Sequence, residues 1–111
     1  MTREEIVEVL LSADLPLTYN AFPIGEAPSE PPYIAYYFRG NDDVMADNNN
    51  YVDVKTLVVE VYVSPERDFT TEDTMDGVFR SNNMTYSKTE EYINNIDMFR
   101  ITYEMEVILN E

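Results

Sequence analysis

The chain has no cysteine and no histidine. The first absence excludes a disulfide framework and any thiolate metal site. The second removes the most frequent general base and the commonest transition-metal ligand, and together they take away the strongest covalent nucleophile. Basic residues are also scarce, seven Lys and Arg against 22 Asp and Glu, for a formal charge of −15. Binding to a phosphate backbone through counterion release needs a basic face, so direct nucleic-acid binding is not expected. Only three glycines occur, Gly25, Gly40 and Gly77, each isolated, and no glycine-rich phosphate loop can be built from them. No run approaches the 18 or so apolar residues of a membrane span, and "MTREEIVEVLLSADLP" sets glutamates among its apolar positions in place of a basic then apolar leader. The expectation is a protein made and used without export, with no membrane partner.

Against these absences stand a hydrophobic fraction of 44%, nine tyrosines and five phenylalanines in 111 residues. That is enough for one core and too little for two, so residues 1–111 are read as a single folded domain.

Thr2 and Glu5 have capping-box spacing, and Ile6, Val9, Leu10 and Ala13 follow at helical intervals, which predicts an amphipathic helix ending before Pro16. Pro23, Pro28, Pro31 and Pro32 then exclude helix and central strand, leaving an extended surface connector anchored by Phe22 and Ile24. "PYIAYYFR" carries apolar or aromatic side chains on both parities and reads as a strand covered on both faces. In "YVDVKTLVVEVYV" the apolar phase changes from Val52, Val54 and Val58 to Leu57, Val59, Val61 and Val63. Either a bulge near Thr56 or a strand that protrudes in its first half and is central in its second accounts for the change.

Thr70 with Asp73 suggests a second helix start, with Met75, Val78 and Phe79 as its apolar stripe and a stop near Ser81 to Asn83. Gly77 inside it implies a weak helix or a close neighbour. Two strands follow around "NNID", the last with Phe99, Ile101, Tyr103, Met105, Val107 and Leu109 inward and Arg100, Thr102, Glu104 and Glu106 outward. The predicted order is α-β-β-α-β-β. This indicates an α+β fold, a mostly antiparallel sheet of about four main strands with two helices packed on one face.

The polar stretch "RGNDDVMADNNNYVD" between two strands invites a metal reading. A calcium loop of the EF type needs glycine at its sixth position and glutamate at its twelfth. Counting from Asp47 those positions are Val52 and Val58; counting from Asp43 the third is Met45 and the twelfth Val54. Both registers fail, so no metal and no cofactor are expected. The connection is longer than a tight hairpin needs, and Val44 and Met45 in its middle have no local core to join. It reads either as a hairpin arm whose Asp42, Asp43, Val44, Met45, Asp47, Asn48 and Asn49 meet a partner or a neighbouring subunit, or as a plain disordered, solvated loop joining the two strands. Glu90 with Glu91 and Glu104 with Glu106 are the carboxylate pairs a hydrolase would use, but nothing in the sequence buries one member and exposes the other, and an enzyme is not expected.

Over "LPLTYNAFPIGEAPSEPPYIAYYF", "ADNNNYVDVKTLVVEVYV", "SPERDFTTED" and "KTEEYINNIDMFRITYEMEV" the chain resembles tail terminator or tail completion proteins, the head-tail joining proteins of long-tailed phages and prophages of Gram-positive bacteria. The resemblance covers nearly the whole chain and is one of pattern, with no catalytic signature. It implies a virion protein, a hexameric ring that caps the tail tube and docks to the head or neck connector, made in the host cytoplasm and assembling alone or on the tube. The asparagines of "DNNNY" make the arm more polar than that pattern. A ring whose subunits each carry −15 would repel the DNA passing through it, and sheet edges hazardous in a monomer would become pairing surfaces. The alternative from another class is an acidic inhibitor or DNA mimic that occludes a basic site on a partner. Such a protein should space its carboxylates like phosphates along one face.

Overall fold

The computed structural model describes residues 1–28, 30–40, 44–45, 51–66 and 69–110. Helix α1 spans Arg3–Leu11. Strands β1 (Leu17–Tyr19), β2 (Tyr33–Arg39), β3 (Val44–Met45) and β4 (Tyr51–Val63) follow, then α2 (Thr70–Ser81), β5 (Ser87–Ile93) and β6 (Met98–Leu109). The sheet runs β1-β2-β4-β6-β5, and β3 pairs with β4 off this path. All pairings are antiparallel except β1 with β2, which is parallel. The fold is α+β, with the helices on one face of a mixed sheet.

Alternation in β6 decides which face that is. Ile101, Tyr103, Met105, Val107 and Leu109 are buried, and they share one core with Leu57, Val59, Val61 and Val63 of β4, Ile34 of β2, Ile6 and Leu10 of α1, and Met75 and Phe79 of α2. Each such side chain, fully buried, contributes about 1.5–3 kcal/mol. Phe99 is only partly buried at the margin of this core, although the alternation puts it in line with the rest: it stands one pair from the β5–β6 turn, opposite Tyr92 and Val63.

The capping box forms as expected, Thr2 Oγ1 accepting from the Glu5 amide at 3.1 Å and Glu5 Oε1 from the Thr2 amide at 2.9 Å. Other local expectations are corrected. The N-cap of α2 is Phe69, not Thr70. Its backbone is left-handed with φ 69°, no side chain caps the helix, and the Phe69 carbonyl accepts the Asp73 amide at 3.0 Å. Thr70 is already the first helical residue, so its hydroxyl is past the capping position. Gly77 has no close neighbour: a Cβ placed there would meet nothing within 4 Å.

No bulge interrupts β4 at Thr56, because eleven consecutive pairs from Asp53–Leu109 to Val63–Phe99 keep one register against β6. The phase change has the other cause. From Thr56 to Tyr62 the strand is paired on both sides, by β2 and β6, and Val58 on the face away from the helices is fully buried alongside Val59. Tyr51 and Val52 lie beyond the last β6 pair and, among the described residues, pair with β3 alone. The proline-rich connector was expected to contain no strand. Its approach contributes β1, three residues at the sheet edge, where proline-flanked chain is tolerated.

Candidate interaction surface

Helix α2 turns Glu72, Met75, Asp76 and Phe79 toward the sheet at intervals of three and four. Asp76 is thereby the one buried charged side chain among the described residues. Its Oδ1 accepts from the Tyr86 hydroxyl at 2.8 Å and the Tyr103 hydroxyl at 3.1 Å, and its Oδ2 lies 3.1 Å from Lys88 Nζ. Lys88 also donates to Glu72 Oε2 at 2.6 Å. The rings of Phe79, Tyr86 and Tyr103 pack on one another with centroids 5.0–5.6 Å apart.

Burial alone would raise the Asp76 carboxyl, but hydrogen bonds from Tyr86, Lys88 and Tyr103 and the Lys88 charge outweigh it and hold the pKa below the ordinary value. Burial first, then the Asp76 charge, pushes the Tyr103 phenol well above its usual range. The Glu72 hydrogen bond, with Asp76 behind it, raises Lys88. A carboxylate fixed as an anion by three donors is a poor proton shuttle. It is an anchor joining α2 to β5 and β6. The sequence reading passed over it, although the i, i+3, i+4, i+7 set of residues 72, 75, 76 and 79 carries the signal.

The face away from the helices is aromatic and ionic. Tyr33 stacks on Tyr62 at 4.9 Å, and Phe22 of the connector meets Tyr33 edge-on at 5.6 Å, while Ile24, the other expected anchor, is fully exposed. Burial and the neighbouring Glu60 push the Tyr62 phenol up to about 12. Arg39 of β2 holds Glu104 of β6 through two bonds of 3.1 and 2.9 Å, reaching across β4. Arg100 contacts Glu91 and lies 4.0 Å from Glu60.

At the margins, β5 is the last strand of the sheet among the described residues, and its side chains are exposed from Ser87 to Tyr92. Of the expected arm contacts, Val44 and Met45 form β3, whereas Asp42, Asp43, Asp47, Asn48 and Asn49 lie outside the described residues. Among the described residues no group of three or more Asp or Glu is placed to hold a metal ion. Glu90 and Glu91 point to opposite faces of β5 and so do not face each other. Glu104 and Glu106 share a face, with Glu104 committed to Arg39.

No protein-family model and no curated protein sequence matches the chain. Its fold is similar to that of a chain in a solved structure titled "Virion of native gene transfer agent (GTA) particle", with a TM-score of 0.61 and 16% sequence identity over 93% of this chain and 85% of that one. At this identity the likeness is one of fold.

Proposed function

We propose that the protein is a structural subunit of a phage-like virion, a hexameric ring that ends the tail tube and joins it to the head or neck connector. The observation that carries this reading is the fold likeness, along nearly the whole chain, to a chain from a gene transfer agent virion. The outer edge at β5, last in the sheet among the described residues, and the β3–β4 ribbon running past β6 are surfaces suited to contacts between subunits. The polar stretch with Asp42, Asp43, Val44, Met45, Asp47, Asn48 and Asn49 is the segment we assign to a neighbouring subunit or the tail tube. In this role the protein performs no catalysis and works in the tail or neck of the particle.

The DNA-mimic alternative fits less well. Three arginine and lysine side chains, Arg39, Arg100 and Lys88, are spent neutralising Glu104, Glu91 and Glu72, which breaks up any phosphate-like row.

The test is particle assembly. With the gene disrupted, electron microscopy of induced lysates should show filled heads and separate tails. Replacing residues 42–49 by a short glycine-containing turn should leave the unfolding temperature nearly unchanged while joining fails, because a stretch of such polar composition has little apolar surface to bury. Normal joined particles from the disrupted strain would overturn the function, and normal particles from the shortened variant would overturn the arm.

A further inference from the structure

β5 ends too early to cover β6. Its first residue, Ser87, pairs with Glu104, while β6 continues to Leu109. At the far end Met1 occupies the same edge: its amino group donates to the Ile108 carbonyl at 3.0 Å, and its carbonyl accepts the Asn110 amide at 3.2 Å. Successive residues of a strand turn their backbone groups to opposite sides. Since Ile108 and Asn110 bond outward to Met1, the N–H and C=O of Glu106 also face outward, in the gap between Ser87 and Met1.

The gap is a cleft of about 720 Å³ between β6 and the segment leading from α2 to β5, lined by Met1, Met84, Tyr86, Met105, Glu106 and Val107. Its floor on the helix side is apolar, and its outer rim carries Glu106. A smaller hollow that shares Met1 and Asn82 extends it toward Glu5 and Glu8 of α1. Arg80 acts on Tyr86 from the last turn of α2 without lining the cleft. Lys88 is held by Glu72 and Asp76.

We infer that this cleft receives an extended, basic segment of a different protein, which adds a short strand to β6 at Glu106. A strand laid there alternates its side chains between two environments. Apolar residues enter the floor among Met84, Met105 and Val107, and Lys or Arg residues stand on the opposite face beside Glu106. Charge selects the partner: a second copy of this chain, at −15 with seven scattered cations, has no basic strand to offer. The inference rests on the cleft alone and holds whether or not the ring reading does.

The probe is a blocked Lys-Val-Lys-Val-Lys peptide, with Glu-Val-Glu-Val-Glu as its control, added to the intact isotope-labelled protein. The lysine peptide should shift amide resonances of residues 84–87 and 105–108 and slow hydrogen exchange at Glu106 by about tenfold or more. The glutamate peptide should do neither. Glu106→Lys, at an exposed position, should weaken the lysine peptide about tenfold, and Glu106→Pro, which removes the amide, should abolish the protection. Shifts spread over the whole acidic surface, equal binding of both peptides, or no binding would overturn the inference. Protection of Glu106 that grows with protein concentration without peptide would overturn it too, by showing that a second copy fills the cleft.

Discussion

The Tyr103 hydroxyl donates to Asp76 Oδ1 across 3.1 Å, joining the middle of β6 to the inner face of α2. Tyr103 is itself fully buried, with its ring against Phe79. One side chain therefore serves both the apolar core and its only buried charge among the described residues, and removing the acceptor takes the Asp76 bond from the Tyr86 hydroxyl, leaves Tyr103 with the Glu72 carbonyl at 3.5 Å and leaves Lys88 with Glu72 alone.

Asp76→Asn should destabilise the fold by about 1–3 kcal/mol at neutral pH, the range for disturbing buried hydrogen bonds that involve a charge. The pH dependence has a defined sign. The folded carboxyl titrates below its unfolded value near 4, so its contribution is complete above that value and is lost as pH falls through the lowered folded pKa. Urea unfolding from pH 7 down to pH 3 should show the gap between wild type and variant constant above about pH 5 and shrinking below about pH 4. Comparing the two proteins cancels the titration of the other carboxylates. A gap independent of pH would mean that Asp76 acts by shape alone.

Phe79 and Phe99 separate core from margin. Phe79 is fully buried and Phe99 only partly, so Phe79→Ala should cost about 3–5 kcal/mol and Phe99→Ala clearly less. Thermal or urea unfolding of the two variants checks the order, and equal losses would place Phe99 inside the core.

Thr2→Ala removes one acceptor of the capping box and should cost about 1 kcal/mol. The loss should be matched by Thr2→Val and largely recovered by Thr2→Ser, measured by urea unfolding. A side chain that served only to fill space would show the opposite pattern, because valine keeps the volume and serine keeps the oxygen.

These cases also mark what the sequence could tell. The helix start at Thr2 and the inward set of β6 were legible because both are local patterns, a cap with its reciprocal glutamate and a strict alternation. The parity of Val58 left two causes open because alternation presumes that one face of a strand is wet, and a strand paired on both sides under aromatic and ionic cover is dry on both. β1 escaped because three residues, Leu17 to Tyr19, are too short to show a period, and the strand exists only by pairing with β2. Phe69 escaped because a left-handed aromatic residue before a helix contradicts its own propensity. Asp76 was visible on the helical period but was passed over as one acid among 22. The cleft beside Glu106 depends on where β5 stops, and a strand end is set by tertiary path, not by composition.

Gly77 offers the sharpest remaining test of helix α2. Glycine inside a helix costs about 0.5–1 kcal/mol relative to alanine through the extra freedom of the unfolded chain, and nature retains it where a neighbour needs the space or the backbone needs positive φ. Neither condition holds in the free chain: Gly77 is absent from the positive-φ residues, its position is exposed, and an added Cβ meets nothing within 4 Å. Gly77→Ala should therefore raise stability by about 0.5–1 kcal/mol, read as a shift of the urea midpoint at constant slope. A particle-joining assay on the same variant then decides why glycine stands there. Normal joining would leave it as a neutral residue, whereas stabilised protein that no longer joins heads to tails would show that another chain packs against the bare helix at this point. A loss of stability would contradict the open surroundings of Gly77 and require a contact on that face of α2 in the free protein.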